Sequence, residues 1–285
     1  MNLILVCLPI RDAVRTSILS KKWRYKWVSI PDIVFDKDCL MKDKSNREHA
    51  DVVDKVLSQH VGPICKFSCM SYVLSGSHFD RWIEFLSLNV IKKLSLKILE
   101  ESYEYYDVAS CIFDCEKLCH LELINCKLKV PPTFKGFHKL LVLVLNEVLI
   151  SAEAIAYLIS KCPLLETLKL RSIGSETCPA FYTDPPAFHI DAPNLRYLEI
   201  DGISGYLSKC PLLETLKLRS IGSETCPAFY TDPPAFHIDA PNLRYLEIDG
   251  ISGYLSKCPL LGNYVPSVPI FYTDPPAFHI DAPTC

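Results

Sequence analysis

Residues 160–207 read SKCPLLETLKLRSIGSETCPAFYTDPPAFHIDAPNLRYLEIDGISGYL, and residues 208–255 repeat them letter for letter. A damaged third copy runs over 256–283. A unit that ends where its next copy begins can stack without limit, each copy covering its neighbour's apolar face. The 48-residue period therefore predicts a solenoid rather than a closed globule. Each copy holds two runs of the form L-x-x-L-x-L, and the same run recurs upstream. The cores are Ile91/Leu94/Leu96, Leu118/Leu121/Leu123, Leu140/Leu143/Leu145, Leu165/Leu168/Leu170, Leu195/Leu198/Ile200, Leu213/Leu216/Leu218 and Leu243/Leu246/Ile248. The last two apolar positions of each alternate with polar ones, as on a strand, while the first turns inward from the preceding loop.

This pattern is that of leucine-rich repeats, with one strand per coil lining a parallel sheet, so the expected fold class is α/β. The first core residues are separated by 27, 22, 25, 30, 18 and 30 positions. Two of these intervals are slightly long and one is short against roughly 20 to 29 residues per coil. Phe188-His189-Ile190 is expected to add a small strand inside each long coil. The residues between the apolar positions form the candidate surface: Lys93, Ser95 and Lys97; His120 and Glu122; Val142, Val144 and Asn146; and, in the copies, Thr167, Lys169, Arg171, Tyr197, Glu199 and Asp201, then Thr215, Lys217, Arg219, Tyr245, Glu247 and Asp249. Cationic and anionic rows alternate there. One reading is that neighbouring rows neutralise one another as exposed pairs worth at most about 1 kcal/mol each. The other is a mixed-charge, tyrosine-punctuated face for a protein target, at Lys169, Arg171, Tyr197, Glu199, Asp201, Lys217, Arg219, Tyr245, Glu247 and Asp249. Copying alone would produce the stripes, which favours the first.

The chain has 285 residues, 49% hydrophobic, with 30 basic and 33 acidic side chains and a net charge of -3. That is enough apolar material for a core, and no global field draws the chain to nucleic acid or anionic lipid. The apolar opening Met1–Leu8 breaks at Pro9, too short for a signal peptide or membrane span, so neither export nor a membrane is expected.

Five of the fourteen cysteines, Cys162, Cys178, Cys210, Cys226 and Cys258, are multiplied by duplication, so the count is no disulfide framework. Cys111, Cys115 and Cys119 fall four apart, near His120 and Cys126, but short-spaced C-x-x-C pairs are absent. Buried thiols serving as small hydrophobes are the favoured reading over a metal site. His189/Asp191, repeated as His237/Asp239 and His279/Asp281, would share a strand face, yet no nucleophile converges on them. Phosphate-binding, dinucleotide and nucleophile-elbow motifs are missing. No enzyme, cofactor or metal is expected. Thr183 to Pro186 reads as a rigid turn.

Residues 11–27, RDAVRTSILSKKWRYKW, carry six cations and one acid. Val14, Ile18 and Trp23 recur at four to five residues, which predicts an amphipathic helix from about Arg11 that buries that stripe and leaves Arg11, Arg15, Lys21 and Lys22 mostly solvated. Pro9 precedes it and Pro31 ends it before Ile33-Val34-Phe35, the expected first strand.

The run from Ile4 to Trp27, ILVCLPIRDAVRTSILSKKWRYKW, closely resembles the plant F-box, and the phrases from Cys162 to Leu168 and from Ala192 to Leu198 resemble those of the leucine-rich repeats that follow it. The resemblance is to the F-box/FBD/LRR type, with an N-terminally truncated F-box and no C-terminal FBD domain. It implies a partial F-box over 1–30 and a repeat solenoid over 31–285, and a substrate-recognition subunit of an SCF-type cullin-RING ubiquitin ligase. The F-box would dock on a Skp-type adaptor, and through it a cullin scaffold, while the repeats hold an unidentified protein target. The implied adaptor-facing or F-box-core positions are Leu5, Leu8, Pro9, Ile10, Val14, Leu19 and Trp23, and the implied location is cytoplasmic or nuclear. A repeat-only protein-binding module, or a fragment that no longer binds the adaptor, is the alternative.

Overall fold

The structure, a computed structural model, describes residues 5, 8–36, 39, 46–72, 76–99, 105–174, 187–201, 204–208, 210–219, 235–249, 252–256, 260–267 and 278–281. They fall into two compact units, Met1–Phe137 and His138–Cys285. The turn expected at Thr183 to Pro186 lies outside the described residues.

The first unit begins with helix α1 (Ile10–Arg15), followed by 3-10 turns at Thr16–Ile18 and Trp27–Ser29. It continues through β1 (Asp32–Phe35), α2 (Asn46–Gln59), β2 (Lys66–Tyr72), α3 (Gly76–Ser87), β3 (Lys93–Leu99), β4 (Tyr106–Asp107) and β5 (His120–Lys127). Strands β1, β2, β3 and β5 pair in that order, all parallel, and β4 pairs the far end of β5. Each L-x-x-L-x-L core is buried as its pattern requires: Leu94 and Leu96 on β3 and Leu121 and Leu123 on β5 face inward, with Ile91 and Leu118 tucked in before them. Burying each such side chain is worth about 1.5–3 kcal/mol.

Two further coils obey the same rule with other apolar residues. Ile30, Ile33 and Phe35 are buried around β1, and Ile64, Phe67 and Cys69 around β2. Helices α2 and α3 separate these coils. Phe79, Trp82, Ile83 and Leu86 are buried on α3, and His49, Ala50, Val53, Val56 and Leu57 on α2, the spacing of one helical face in each case. Asp54 of α2 ties the two helices together: it accepts from Trp82 Nε1 at 2.6 Å and from Arg81 Nη2 at 2.9 Å.

The start of the chain departs from expectation. Helix α1 ends at Arg15 and buries Ile10 and Ala13, while Ile18 is 87% exposed and Leu19 70%. The turn tightens to 3-10 geometry at Thr16, whose Oγ1 donates to the Ala13 carbonyl at 2.7 Å. That rotates the following residues off the buried face, because i to i+3 spacing does not continue the 3.6-residue stripe. Val14 and Trp23 are half-buried, and so is Arg11; Arg15, Lys21 and Lys22 are exposed. The buried aromatic of this segment is Trp27. Ile33-Val34-Phe35 lies on β1 as expected.

The second unit contains β6 (Val142–Leu149), α4 (Ala152–Ser160), β7 (Thr167–Arg171), β8 (Ala187–Asp191), β9 (Tyr197–Asp201), β10 (Ser204–Ser208), β11 (Thr215–Arg219), β12 (Ala235–Asp239), β13 (Tyr245–Asp249), β14 (Ser252–Ser256), β15 (Asn263–Ser267) and β16 (Phe278–Asp281). Strands β6, β7, β9, β11, β13 and β15 pair in that order, and β8, β10, β12, β14 and β16 form a second parallel sheet. Phe188-His189-Ile190 therefore does lie on a strand, and so do its copies. In the backbone register, His189, Tyr206, His237, Tyr254 and His279 occupy one row of that second sheet.

Helix α4 starts where Ser151 Oγ accepts the Ala154 amide at 3.2 Å, with Glu153 in the first turn. The coils are also stitched by a side-chain amide. Asn194 Nδ2 donates to the Pro163 carbonyl at 2.8 Å, and in the next copy Asn242 Nδ2 donates to the Pro211 carbonyl at 2.6 Å. The asparagine of A-P-N-L thus satisfies a carbonyl of C-P-L-L one coil earlier. Backbone amides do the same at each strand entry: Arg196 and Tyr197 both donate to Glu166 O, Glu214 and Thr215 to Arg196 O, and Arg244 and Tyr245 to Glu214 O.

Candidate functional site

In the second unit the duplicated strands stack so that unlike residues meet. Thr167, Tyr197, Thr215 and Tyr245 form one in-register row; Lys169, Glu199, Lys217 and Glu247 the next; Arg171, Asp201, Arg219 and Asp249 a third. Because every 48-residue copy supplies two strands to this sheet, one cationic and one anionic, the alternation follows from the sequence as soon as those strands pair in chain order.

Each glutamate is the hub of a cluster. Glu199 Oε1 accepts from Arg171 Nη2 at 2.6 Å and Nε at 2.9 Å; its Oε2 accepts from Tyr197 OH at 2.9 Å and lies 3.6 Å from Lys169 Nζ. The second copy repeats this, with Arg219 Nη2 2.6 Å, Lys217 Nζ 2.8 Å and Tyr245 OH 3.1 Å from the Glu247 carboxylate. Lys169 and Lys217 also sit over the Tyr197 and Tyr245 rings, at 5.1 and 5.5 Å from the centroids.

These pairs are not the weak exposed ones expected from the stripes alone. Glu199 is only 4% exposed, walled in by Lys169, Arg171 and Tyr197. Burial opposes its ionisation, but hydrogen bonds from Arg171 and Tyr197, with the charge of Lys169, hold the carboxyl below its ordinary value. The Arg219 and Lys217 hydrogen bonds bring Glu247 down to about 2. Burial and the Glu199 acceptor push the Tyr197 hydroxyl up to about 12. Asp201 differs: both register-neighbour guanidiniums turn to the glutamates, and burial raises its carboxyl despite Arg219 and Arg171.

Val142, Val144 and Asn146 are half-buried along β6. On the first unit's sheet, Lys97 pairs Glu122 at 3.1 Å, and Ser95 Oγ donates to the same carboxylate at 2.5 Å. Burial outweighs Glu122 in lowering the His120 imidazole, with Lys93, Lys66 and Lys97 acting in the same direction as burial.

The N-terminal candidate residues separate into two groups. Leu5 and Ile10 are buried, Leu8, Val14 and Trp23 half-buried, and Pro9 and Leu19 exposed. Ile18, absent from the sequence-derived set, is the most exposed large apolar side chain among the described residues.

Three cysteines of the first unit fall close together in sequence around a 3-10 turn. Cys111 is in the 3-10 turn Ser110–Asp114, Cys115 follows it, and Cys119 Sγ donates to the Lys92 carbonyl at 3.2 Å. Burial pushes the Cys115 and Cys126 thiols up to about 12, the opposite of what a thiolate ligand or nucleophile requires. Among the described residues no three His, Cys, Asp or Glu side chains are grouped to hold a metal ion. His189/Asp191 and His237/Asp239 keep their i, i+2 places on β8 and β12, and His279/Asp281 on β16.

A family profile described as the LRR repeats of FBD-associated F-box protein At5g56370 matches residues 79–246, the stretch that carries most of the buried leucine cores and the Glu199 hub. The chain belongs to the plant F-box/leucine-rich-repeat family. It is similar to F-box/FBD/LRR-repeat protein At1g13570 of Arabidopsis thaliana, 42% identical over 204 residues that cover 70% of this chain and 46% of the relative. F-box/LRR-repeat protein At3g59200 of the same plant is 31% identical over 227 residues, 69% of this chain and 43% of the relative. Putative FBD-associated F-box protein At5g56690 is 28% identical over 176 residues, 59% of this chain and 44% of the relative. The chain thus spans less than half the length of these relatives. No solved structure matches it. No helix among the described residues is long and apolar enough to cross a membrane.

Proposed function

We propose that this chain is the substrate-recognition subunit of an SCF-type cullin-RING ubiquitin ligase, in which a partial F-box over residues 1–30 docks on a Skp-type adaptor and a repeat solenoid over 31–285 holds a protein target. The observation that carries the reading is the apolar surface left at the end of the first helical segment. Ile18 is 87% and Leu19 70% exposed, beside half-buried Val14 and Trp23. A monomer gains nothing from two adjacent aliphatic side chains in water, whereas a helix laid against partner helices buries them. Leu5 and Ile10 then act as the core that holds this surface, and Leu8, Pro9, Val14, Leu19 and Trp23 as its contact edge. Adaptor binding through it would link the chain to a cullin scaffold, in the cytosol or nucleus.

For the target, we propose the strand face at Lys169, Arg171, Tyr197, Glu199, Asp201, Lys217, Arg219, Tyr245, Glu247 and Asp249. Its charges are held in place by the glutamate hubs, so the side chains are pre-ordered rather than left to be fixed on binding. Co-purification of residues 1–285 with a plant Skp-type adaptor tests the reading. A stoichiometric complex is expected; no complex, where the same adaptor retains a relative with a full-length F-box, rejects it.

A further inference from the structure

The strand-entry turns of the second unit form a ladder of their own. The amides of Arg196 and Tyr197 donate to the Glu166 carbonyl, those of Glu214 and Thr215 to Arg196, and those of Arg244 and Tyr245 to Glu214. Glu166, Arg196, Glu214 and Arg244 therefore stack in register at the entries of β7, β9, β11 and β13. Two residues before each, across the buried Leu165, Leu195, Leu213 or Leu243, stands Leu164, Asn194, Leu212 or Asn242. Each turn thus carries a pair: Leu with Glu, then Asn with Arg, and both again. Leu164, Leu212, Glu166, Arg196 and Arg244 are exposed, and Glu214 is half-buried. The two asparagines are committed to the Pro163 and Pro211 carbonyls.

In the middle of this row Arg196 Nη1 pairs the Glu214 carboxylate at 2.7 Å. The ends differ: among the described residues neither Glu166 nor Arg244 forms an ion pair. They carry opposite charge but stand three strand spacings apart, about 14 Å, so they cannot meet within one chain. An alternating row, however, is the complement of its own reverse. A second copy laid antiparallel, with the two-fold axis between β9 and β11, sets Glu166 opposite the second copy's Arg244 and Arg196 opposite its Glu214. An axis through β9 or β11 would set like charge against like, so the charges choose the register. In that register the four leucines come alternately from the two copies, one strand spacing apart, and interdigitate.

We propose that this strand-entry edge is a dimerisation surface on which a second copy of the chain docks antiparallel. The contact takes in four turns from each copy, under about 1,200 Å² in all, so the dimer is weak and reversible. It goes beyond the receptor reading and does not depend on it, because no adaptor takes part.

The test is sedimentation equilibrium of residues 1–285 alone, over a concentration series reaching well above micromolar. A monomer–dimer equilibrium is expected, weakened about ten-fold by Leu212→Glu, which puts a charge into the apolar row, and about ten-fold by Arg244→Glu, which faces the second copy's Glu166 with a like charge. Adding Glu166→Arg to Arg244→Glu is expected to restore the affinity to within about three-fold, since the exchanged charges meet only between copies. Should Leu212→Glu fail to fold, the two charge variants, both at exposed positions, carry the test. A monomer at every concentration, a dimer of equal strength in the folded single variants, or no recovery in the exchanged pair overturns the proposal.

Discussion

The two units use one coil design and treat charge in opposite ways. In the second, the rows running through β7, β9, β11 and β13 alternate Lys169, Glu199, Lys217, Glu247 and Arg171, Asp201, Arg219, Asp249, so four cations and four acids meet within one duplicated face. In the first, Lys66 and Lys93 stand in register with His120, and the nearby Glu122 is already bound to Lys97. The apolar side of both sheets is the same regular ladder of buried side chains. What differs is the polar face, which the core leaves free to vary. An internally neutral face holds itself in order, whereas in-register lysines repel one another.

That contrast can be broken most severely at the core. Leu96→Ala in the first unit and Leu170→Ala in the second, both fully buried, are each expected to cost about 2–5 kcal/mol in urea unfolding. A large cost in one and a negligible one in the other would end the claim that both units share one coil design. Next in size is Glu199→Gln, expected to cost about 2 kcal/mol because it leaves the Arg171 and Lys169 charges without their carboxylate; Glu247→Gln, at the more open hub, should cost about half as much.

Acid acts on the glutamate hubs of the second unit. The Glu199 and Glu247 carboxyls titrate lower folded than unfolded, so their contribution is complete above the ordinary value near 4.5 and is lost as pH falls below it, for Glu247 toward about 2. Asp201, raised by burial, has the opposite sign and offsets part of that loss. Urea midpoints at pH 6 and pH 3 should fall less in Glu247→Gln than in the unaltered chain. The smallest effect is expected at the cationic row, where Lys93→Gln should leave stability unchanged or raise it by about 0.2–0.5 kcal/mol, since it removes a like-charge neighbour. A loss above about 1 kcal/mol would mean that the row has a partner within the fold.

Much of this was legible in the leucines. The seven cores have their strand positions where the L-x-x-L-x-L spacing puts them, and even the extra strand at Phe188-His189-Ile190 was readable from alternation. The first strand at Ile33-Val34-Phe35 was readable too, but the coil around Phe67 was missed because isoleucine, phenylalanine and cysteine fill its leucine positions; the spacing, rather than the residue type, would have found it. Helix α3 was missed as well, although Phe79, Trp82, Ile83 and Leu86 recur at helical spacing. The burial of Glu199 was not readable, because it depends on which coil lies beside which and on Tyr197 and Lys169 folding over the carboxylate. Nor was the exposure of Ile18, which lies in the 3-10 turn that follows α1 rather than on the continued helix.

The account stands most directly on whether the exposed end of that first helical segment is a docking edge. Calorimetric titration of a plant Skp-type adaptor into residues 1–285 is expected to give a one-to-one complex, weakened at least about ten-fold by Leu19→Glu, a substitution the 70% exposed position can accept without loss of fold. No binding heat with an adaptor that binds a full-length relative, or equal affinity for the folded Leu19→Glu chain, would contradict it.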